Sequence, residues 1–484
     1  MEREEKRLEQ FRRLRKEIRG SQEYLVVGVD ISKDTHNALM RTVSGKTLYR
    51  RLTFNNTREG FENLLLQVEA VRVQHGLKEA VFGVEPTANY HKPLGEFLIN
   101  QGHPVVLISP EAAKQNRALL DGRWNKHDGK DCANIADLMC QGKCLYYEYP
   151  SAELRDLRNL LSLNRKLKKL EQGLRLRIRN HLVAQFFPEM DQYCHWGANE
   201  GLALVRWCLD PVVMAALSNE ELIKRLGTPG RTIAQRKRLS ALKEKAPSSI
   251  GCQFGDSVEF EGQSVVKLLK EVRQVVADTQ EQIERVCQKF KEYSYLLSIP
   301  GFGPTLSAMV LGAIGNPWRF ANGAQVLKMV GLDLSASQSG KSQGSPIVSK
   351  KGKAEIRFAL YQAAMVASSR DKHFVAYFTD QLRGREKEKG IKTKKRVKLA
   401  AKMLMIAWTL MKKQERFDPK YLCAQTQPIA AHTTVKAKSG GYQRSNRAAH
   451  VVYRANMEAI FEHSKPKRTL STENTSLSYC RAGP

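Results

Sequence analysis

Residues 24–30 read YLVVGVD, an apolar run closed by a carboxylate. A run of this length ending in an acidic residue has the pattern of a buried strand with one acid at its tip. Burying an unpaired carboxylate costs several kcal/mol, so Asp30 is either solvated at the strand end or holds something positive. We read Asp30 as a metal ligand and read the following chain relative to it. Residues 36–41 and 47–54 are expected to be two more strands, turning at Ser44-Gly45, in an antiparallel meander. Residues 56–75 form an amphipathic helix with Phe61, Leu64, Leu65, Val68 and Val71 on one face. Residues 79–84 make a fourth strand that ends against Glu85, 91–101 a helix and 104–108 a fifth strand.

The segment RWNKHDGKDCANIADLM opens a further helix. Its Asp128 and Asp131 are three apart and share a face near the N-terminus. That position alone favours acids, as caps and against the helix dipole. A strand-end Asp, a strand-end Glu and a D-x-x-D helix make a larger set, with no His or Cys in it. Four carboxylates suit a hard divalent ion, Mg2+ or Mn2+, better than zinc.

The charge balance points to the partner. The 484 residues include 79 Lys and Arg against 49 Asp and Glu, a formal charge of +30. Such an excess favours a polyanion, nucleic acid ahead of an anionic membrane surface. No run of about 18 apolar residues exists, so no membrane-spanning helix is expected. Residues 1–22 read as an exposed charged helix with no apolar core, unlike a secretory signal. The nine cysteines mostly lack paired spacing. Cys140 and Cys144, in CQGKC, have the spacing of half a zinc site but no second pair, and free thiols in a reducing cytoplasm are expected.

Beyond 149 the text turns helical. Leu160, Leu163, Leu167, Leu170, Leu174 and Ile178 recur at steps of three and four within 151–187. Val265, Leu268, Val272, Val275, Thr279, Ile283, Val286, Phe290, Tyr293 and Leu297 do the same. These are coiled-coil-like helices that pair with each other or with a second subunit. Between them, about 190–260 reads as an insertion of mixed pattern. Residues 297–304, LSIPGFGP, have a glycine turn between helices like a helix-hairpin-helix, whose backbone N–H groups approach phosphate. Residues 331–364 are rich in Ser, Gly and Lys, which by composition alone is a flexible linker. Residues 383–398, RGREKEKGIKTKKRVK, form a basic stretch expected to meet phosphate. An apolar helix carrying Trp408 closes the domain at 397–410, and 418–484 reads as a disordered tail.

The words VGVDISKD, VEPTANY and K-x-D-x-x-D-C resemble the N-terminal domain of the DEDD transposases of the IS110 insertion-sequence family. Cys132 stands where that family usually has Ala, and Lys126-His127-Asp128 where Lys-Thr-Asp is usual. The segment GLDLSASQSG, then SKKG, then IRFAL resembles the same family's C-terminal transposase domain, with Leu334 for the usual Pro and Ile356 for a Leu. The resemblance implies a ribonuclease-H or RuvC-like α/β domain at 23–148, a helical linker at 149–295 and a mostly helical C-terminal domain at 296–417. It implies Asp30, Glu85, Asp128 and Asp131 as ligands of Mg2+ (or Mn2+), and Ser339 as the nucleophile. Lys350, Lys351 and Arg357 become candidate phosphate clamps, and Lys394, Lys395 and Arg396 further nucleic-acid contacts.

The function so implied is transposition by an insertion sequence. Double-stranded DNA at element ends and target is cut and rejoined through a phosphoserine, guided by a non-coding bridge RNA. The active form is a homo-oligomer, dimer or tetramer, in a prokaryotic cytoplasm at the nucleoid. Two other readings use the same residues. One is a RuvC-like, metal-dependent structure-specific endonuclease with water as nucleophile; the other is a non-catalytic nucleic-acid-binding protein.

Overall fold

The structure is a computed structural model. It describes residues 2–117, 119, 128–193, 199–226, 232–335, 338–339, 342–343 and 347–423. The chain divides into two compact units, 1–151 and 152–484, the first a mixed α/β sheet domain and the second mostly helical.

In the first unit, helix α1 (Glu2–Glu17) precedes β1 (Tyr24–Asp30), β2 (Thr35–Thr42) and β3 (Thr47–Asn55). Then come α2 (Arg58–Gln74), β4 (Glu79–Val84), α3 (His91–Asn100), β5 (Val105–Leu107), α4 (Pro110–Arg117), α5 (Asp128–Cys140) and β6 (Leu145–Tyr146). The six strands form one sheet in the order β3-β2-β1-β4-β5-β6. β1 and β2 are antiparallel, as are β2 and β3; β1, β4 and β5 run parallel. β1 is buried on both faces, as its unbroken apolar text requires. Leu25, Val27 and Val29 face a core with Leu64 and Val68 of α2 and Leu94 and Leu98 of α3. Tyr24 and Val26 face the other core, with Ile135, Ala136 and Met139 of α5.

The N-terminal helix corrects an expectation. α1 is a packed part of this unit, not a solvated leader: Leu8, Leu14 and Ile18 are buried. Arg7 donates to the Tyr147 carbonyl at 2.8 Å, and the Tyr146 hydroxyl bonds the Glu4 carboxylate at 2.5 Å. The apolar stripe is one residue wide per turn, and the charged text around it hides it.

In the second unit, α6 (Ala152–Arg177) pairs with the helix Asp256–Cys287. Glu171 meets Arg273 at 3.1 Å, and Arg177 meets Glu261, so the two run antiparallel. Of the two partners open to these helices in the sequence, each thus has the other. The intervening residues are a small helical body with its own core, including Leu182, Phe187, Leu202, Met214, Leu239 and Leu242. The remaining helices pack around Ile391–Lys413, whose Met403, Leu404, Ala407 and Leu410 are buried. Lys420–Cys423 is helical, and Leu422 is buried in that core. Order therefore extends past the expected start of the tail; the rest of it, 424–484, lies outside the described residues.

Among the described residues no helix is long and apolar enough to cross a membrane.

The approach of α5 to the sheet depends on two glycines of the strands. A Cβ on Gly28 would lie 2.4 Å from the Cys132 carbonyl oxygen and 2.9 Å from the Ala136 nitrogen, both helix backbone. A Cβ on Gly83 would meet Met139 Sδ at 2.2 Å, the far part of a flexible side chain. Gly28→Ala is therefore expected to destabilise the first unit by about 1–3 kcal/mol. Gly83→Ala, where Met139 can move aside, is expected to cost clearly less. Urea unfolding of both variants tests the order; equal losses contradict this account of the packing.

Candidate active site

Asp30 and Glu85 are brought together by register. β1 and β4 are parallel with Val29 beside Val84, so the next residues, Asp30 and Glu85, emerge at the same end of neighbouring strands. Parallel strands lie about 4.8 Å apart. Successive side chains alternate, so these two share the face of Gly28 and Gly83, the face that α5 covers. Both are half-buried.

The direction of α5 follows from two thiols. Cys132 Sγ donates to the Asn37 carbonyl at 3.1 Å, and Asn37 is the cross-strand partner of Asp30. Cys140 Sγ contacts the Thr42 carbonyl at 3.9 Å, and Thr42 pairs with Leu25 at the start of β1. The helix therefore runs against β1 and presents its N-terminus at the Asp30–Glu85 corner. Asp128 and Asp131 lie in the opening turns of α5, and the positive end of the helix dipole faces the same corner.

Asp131 is 5% exposed, and its Oδ1 accepts from Arg117 Nε at 2.8 Å. Arg117 ends α4, and α4 is stitched to α5 beside this pair. Asn116 Nδ2 donates to Asn134 Oδ1 and to Asp137 Oδ2, each at 2.9 Å, and Asn134 Nδ2 donates to the Ala113 carbonyl at 2.7 Å. The side chain of Asp128 lies outside the described residues. Among the described residues no three His, Cys, Asp or Glu side chains converge closely enough to hold a metal ion. The donors at the corner are carboxylates alone, a chemistry that fits a hard divalent cation.

Several neighbours of the corner were not singled out in the sequence. Lys130, buried at 5% exposure, sits between the two aspartates of α5. His36 is fully buried against Phe54 and Phe61 and accepts the Ser32 N–H at 3.3 Å, tying down the loop after Asp30. Burial holds its imidazole below the ordinary range, the neutral form this bond needs. Ala88, three residues after Glu85, has φ +45°, a left-handed conformation that a Cβ disfavours. Burial pushes the Cys140 and Cys144 thiols up to about 11, away from the thiolate that binds zinc.

In the second unit the Ser-rich text is not structureless. β7 (Leu334–Ser335) pairs with β10 (Ile347–Val348), and inside them β8 (Gln338–Ser339) pairs with β9 (Ser342–Gln343). The backbone of Ser339 is opposite Ser342; the Ser339 side chain and Gly340 lie outside the described residues. The base of this hairpin is held closely. The Ser349 hydroxyl bonds the Asp333 carboxylate, and Ser349 N–H donates to the Asp333 carbonyl at 3.0 Å. Gly331, at φ +72°, leaves no room for a Cβ beside Lys350 and Lys351.

The candidate clamps separate by role. Lys350 is half-buried with φ +55°, and Lys351 is exposed. Arg357 Nη1 donates to the Val330 carbonyl at 2.6 Å, which closes the end of the helix Gly323–Val330. Burial lowers its guanidinium from the usual value. Lys394, Lys395 and Arg396 lie in the first turns of Ile391–Lys413, half-buried, where no acid occupies the first turn. Lys395 Nζ reaches Gln381 Oε1 at 3.5 Å, and Arg396 lies over the Phe378 ring at 5.5 Å. Burial, then Lys398 and Arg385, lowers the Lys395 ammonium from its usual value. Cations at a helix N-terminus oppose the dipole, and a bound anion relieves both.

The chain thus joins a sheet that delivers two acids to a helix N-terminus with a helical unit that carries a serine-rich hairpin, and both parts match transposases. Residues 27–188 match the DEDD transposase model of IS110-type elements, and residues 293–379 match the model for transposases of the IS116/IS110/IS902 family. The two segments together make about half of the chain, and it belongs to the IS110 family of transposases. It is 22% identical to the transposase of insertion sequence element IS1111A of Coxiella burnetii, over 83% of this chain and 94% of the relative. It is 21% identical to an IS116 insertion-element protein of 44.8 kDa from Streptomyces clavuligerus, over 83% and 98%. A pilin gene-inverting protein of Moraxella bovis is 23% identical, over 81% and 98%.

Removing the Arg117 guanidinium leaves the Asp131 carboxylate buried without that donor. Arg117→Met is expected to destabilise the first unit by about 2–4 kcal/mol. Adding Asp131→Asn to Arg117→Met is expected to recover part of the loss, because the two residues act as a pair. A double-mutant cycle in urea reads the coupling, and strictly additive losses contradict the pairing.

Proposed function

We propose that this chain cuts and rejoins DNA as the transposase of an IS110-type element, with Ser339 as nucleophile and Asp30, Glu85, Asp128 and Asp131 as ligands of Mg2+ or Mn2+. The observation that carries the reading is the register of β1 and β4, which sets Asp30 beside Glu85 under the N-terminus of α5. The strand order and mixed directions support a RuvC-like, ribonuclease-H-type domain. The bound cation would supply charge neutralisation at the scissile phosphate and a lowered barrier to attack and departure of oxygen.

In this reading the Ser339 oxygen attacks the scissile phosphorus. A serine–phosphate bond forms, one of the two ester P–O bonds breaks, and the serine proton ends on the departing hydroxyl. The second step is the reverse attack by a new strand's hydroxyl, which releases the serine. One phosphodiester is exchanged for another, so rejoining needs no ATP. Serine is a weak nucleophile and needs cationic or basic help. Lys341, two residues on, is the nearest cation in sequence, and Lys350 and Lys351 follow just past the hairpin's end. Arg357 contributes by holding the Val330 carbonyl under them. Lys394, Lys395 and Arg396, on a helix start with no acid, suit phosphate.

The turn between Lys291–Leu297 and Pro304–Ile314 supports a helix-hairpin-helix reading: Gly301 has φ +89°, and a Cβ there would sit 2.7 Å from the Ala363 carbonyl. A homo-oligomer is supported by what the paired long helices leave uncovered. Leu163 and Leu170 on α6, and Leu268 and Val275 on Asp256–Cys287, each seven apart, are 44–51% exposed, as heptad positions awaiting another helix. The charge of +30 suits both double-stranded DNA and a guiding bridge RNA in the cytoplasm at the nucleoid.

The test is a denaturing gel of the protein with labelled element-junction DNA, the element's flanking non-coding RNA and Mg2+. A covalent protein–DNA adduct is expected in wild type and not in Ser339→Ala, whose nucleic-acid binding stays nearly intact. Asp30→Asn is expected to lose cleavage. Cleavage without any adduct would overturn the serine and favour a water-using nuclease; recombination by Asp30→Asn would remove the metal role.

A further inference from the structure

On the sheet face that α5 covers, the register sets Thr53, Asn37 and Asp30 in one row across β3, β2 and β1, and Glu85 continues it on β4. Asn37 is 7% exposed, on the face where its strand neighbour Leu39 enters the apolar core. A polar side chain buried there costs about 1–3 kcal/mol if its hydrogen bonds are unmade. On the β3 side they are made. Thr53 Oγ1 donates to Asn37 Oδ1 at 2.9 Å, and Arg51 Nε donates to the same oxygen at 3.3 Å.

These two bonds fix the amide's orientation by chemistry. Arginine has donors and no acceptor, so the oxygen of Asn37, not its nitrogen, must face Arg51. With Oδ1 turned toward β3, the two N–H donors of Nδ2 turn the other way. The cross-strand neighbour on that side is Asp30. Side chains directly opposed on an antiparallel pair stand about 5 Å apart at Cβ, and an ionised carboxylate only accepts.

We propose that Asn37 is a positioning residue for Asp30. Its amide N–H holds one carboxylate oxygen, so that the other is presented along the row toward Glu85. Arg51 and Thr53 hold the amide in the orientation that makes this donation. The inference rests on the reading of Asp30 as a cation ligand. Groups that orient a ligating carboxylate change metal affinity by about 10–100-fold when removed.

The test uses the full-length protein without DNA, titrated with Mn2+ while free Mn2+ is read by electron paramagnetic resonance. Asn37→Leu is expected to weaken Mn2+ binding about 10-fold or more, with the melting temperature of the metal-free protein shifting little. Arg51→Gln with Thr53→Val, both at exposed positions, lets the amide turn over and is expected to weaken binding several-fold. Wild-type affinity in Asn37→Leu, at a site where Asp30→Asn does weaken binding, overturns the proposal. If Asn37→Leu does not fold, the Arg51→Gln, Thr53→Val variant decides, and wild-type affinity there overturns it equally. If Asp30→Asn itself leaves Mn2+ binding unchanged, the cation reading of the carboxylates falls, and this proposal with it.

Discussion

The contact on which the Asp30–Glu85 corner depends is backbone against backbone. α5 lies so close to β1 that its Cys132 carbonyl and Ala136 nitrogen occupy the space a Gly28 side chain would need. That distance is set by the absence of a Cβ, and everything at the corner inherits it. A helix held one side-chain layer further out would carry Asp131 away from the strand ends. The two thiol contacts at Asn37 and Thr42 then fix the helix's direction, and the α4 network of Asn116 and Asn134 fixes its sideways position. The helix that carries Asp131 is thus placed largely by uncharged groups, and Arg117 then holds the carboxylate itself.

The sequence carried β1 to β5 plainly, by apolar runs or by the alternation seen in β3; the two-residue β6 is too short to register. It also carried the order in which their tips become acidic. Three features escaped it, each for a physical reason. The stripe of Leu8 and Leu14 on α1, with Ile18 just past its end, is thin and surrounded by charge, so composition read it as solvated. The strands β7 to β10 are two residues each, of Ser, Gln, Leu, Ile and Val, too short for any periodicity to register. The heptads of the long helices say that a partner exists, not which one, and the pairing became definite only through Glu171–Arg273 and its neighbours. At the corner, Asn37 and Arg117 were equally silent. Their signal is a buried polar side chain opposite an acid, which needs the register to be seen. A polar residue at position 37, alternating with the core-facing Ala38 and sharing a face with Leu39, was the one hint available.

The second unit organises its chemistry differently. Where the α/β unit fixes side chains on strand ends, the serine hairpin is short and its base does the fixing. Asp333 is bonded twice by Ser349, Arg357 holds the carbonyl of Val330, and Gly331 lets the Lys350–Lys351 backbone close over it. These contacts join the segment's three motifs, so the stretches GL-D, SK-K-G and I-R are one packed object. Composition alone would call the same text a linker. What separates the two is the base, where Ser349 bonds Asp333 and Arg357 bonds the Val330 carbonyl.

This division gives the two units different tolerances. At the corner, a shift of a strand register by one residue would turn Asp30 and Glu85 to the opposite face, and the glycines Gly28 and Gly83, which admit α5 on one face only, guard against it. In the hairpin, two-residue ladders offer little such protection, and the guard is the clamped base. Substitutions in β1 or β4 that spare the acids therefore act through the sheet's register and its contact with α5. Substitutions at Asp333, Ser349 or Arg357 act by loosening a loop whose backbone pairing is too short to hold itself.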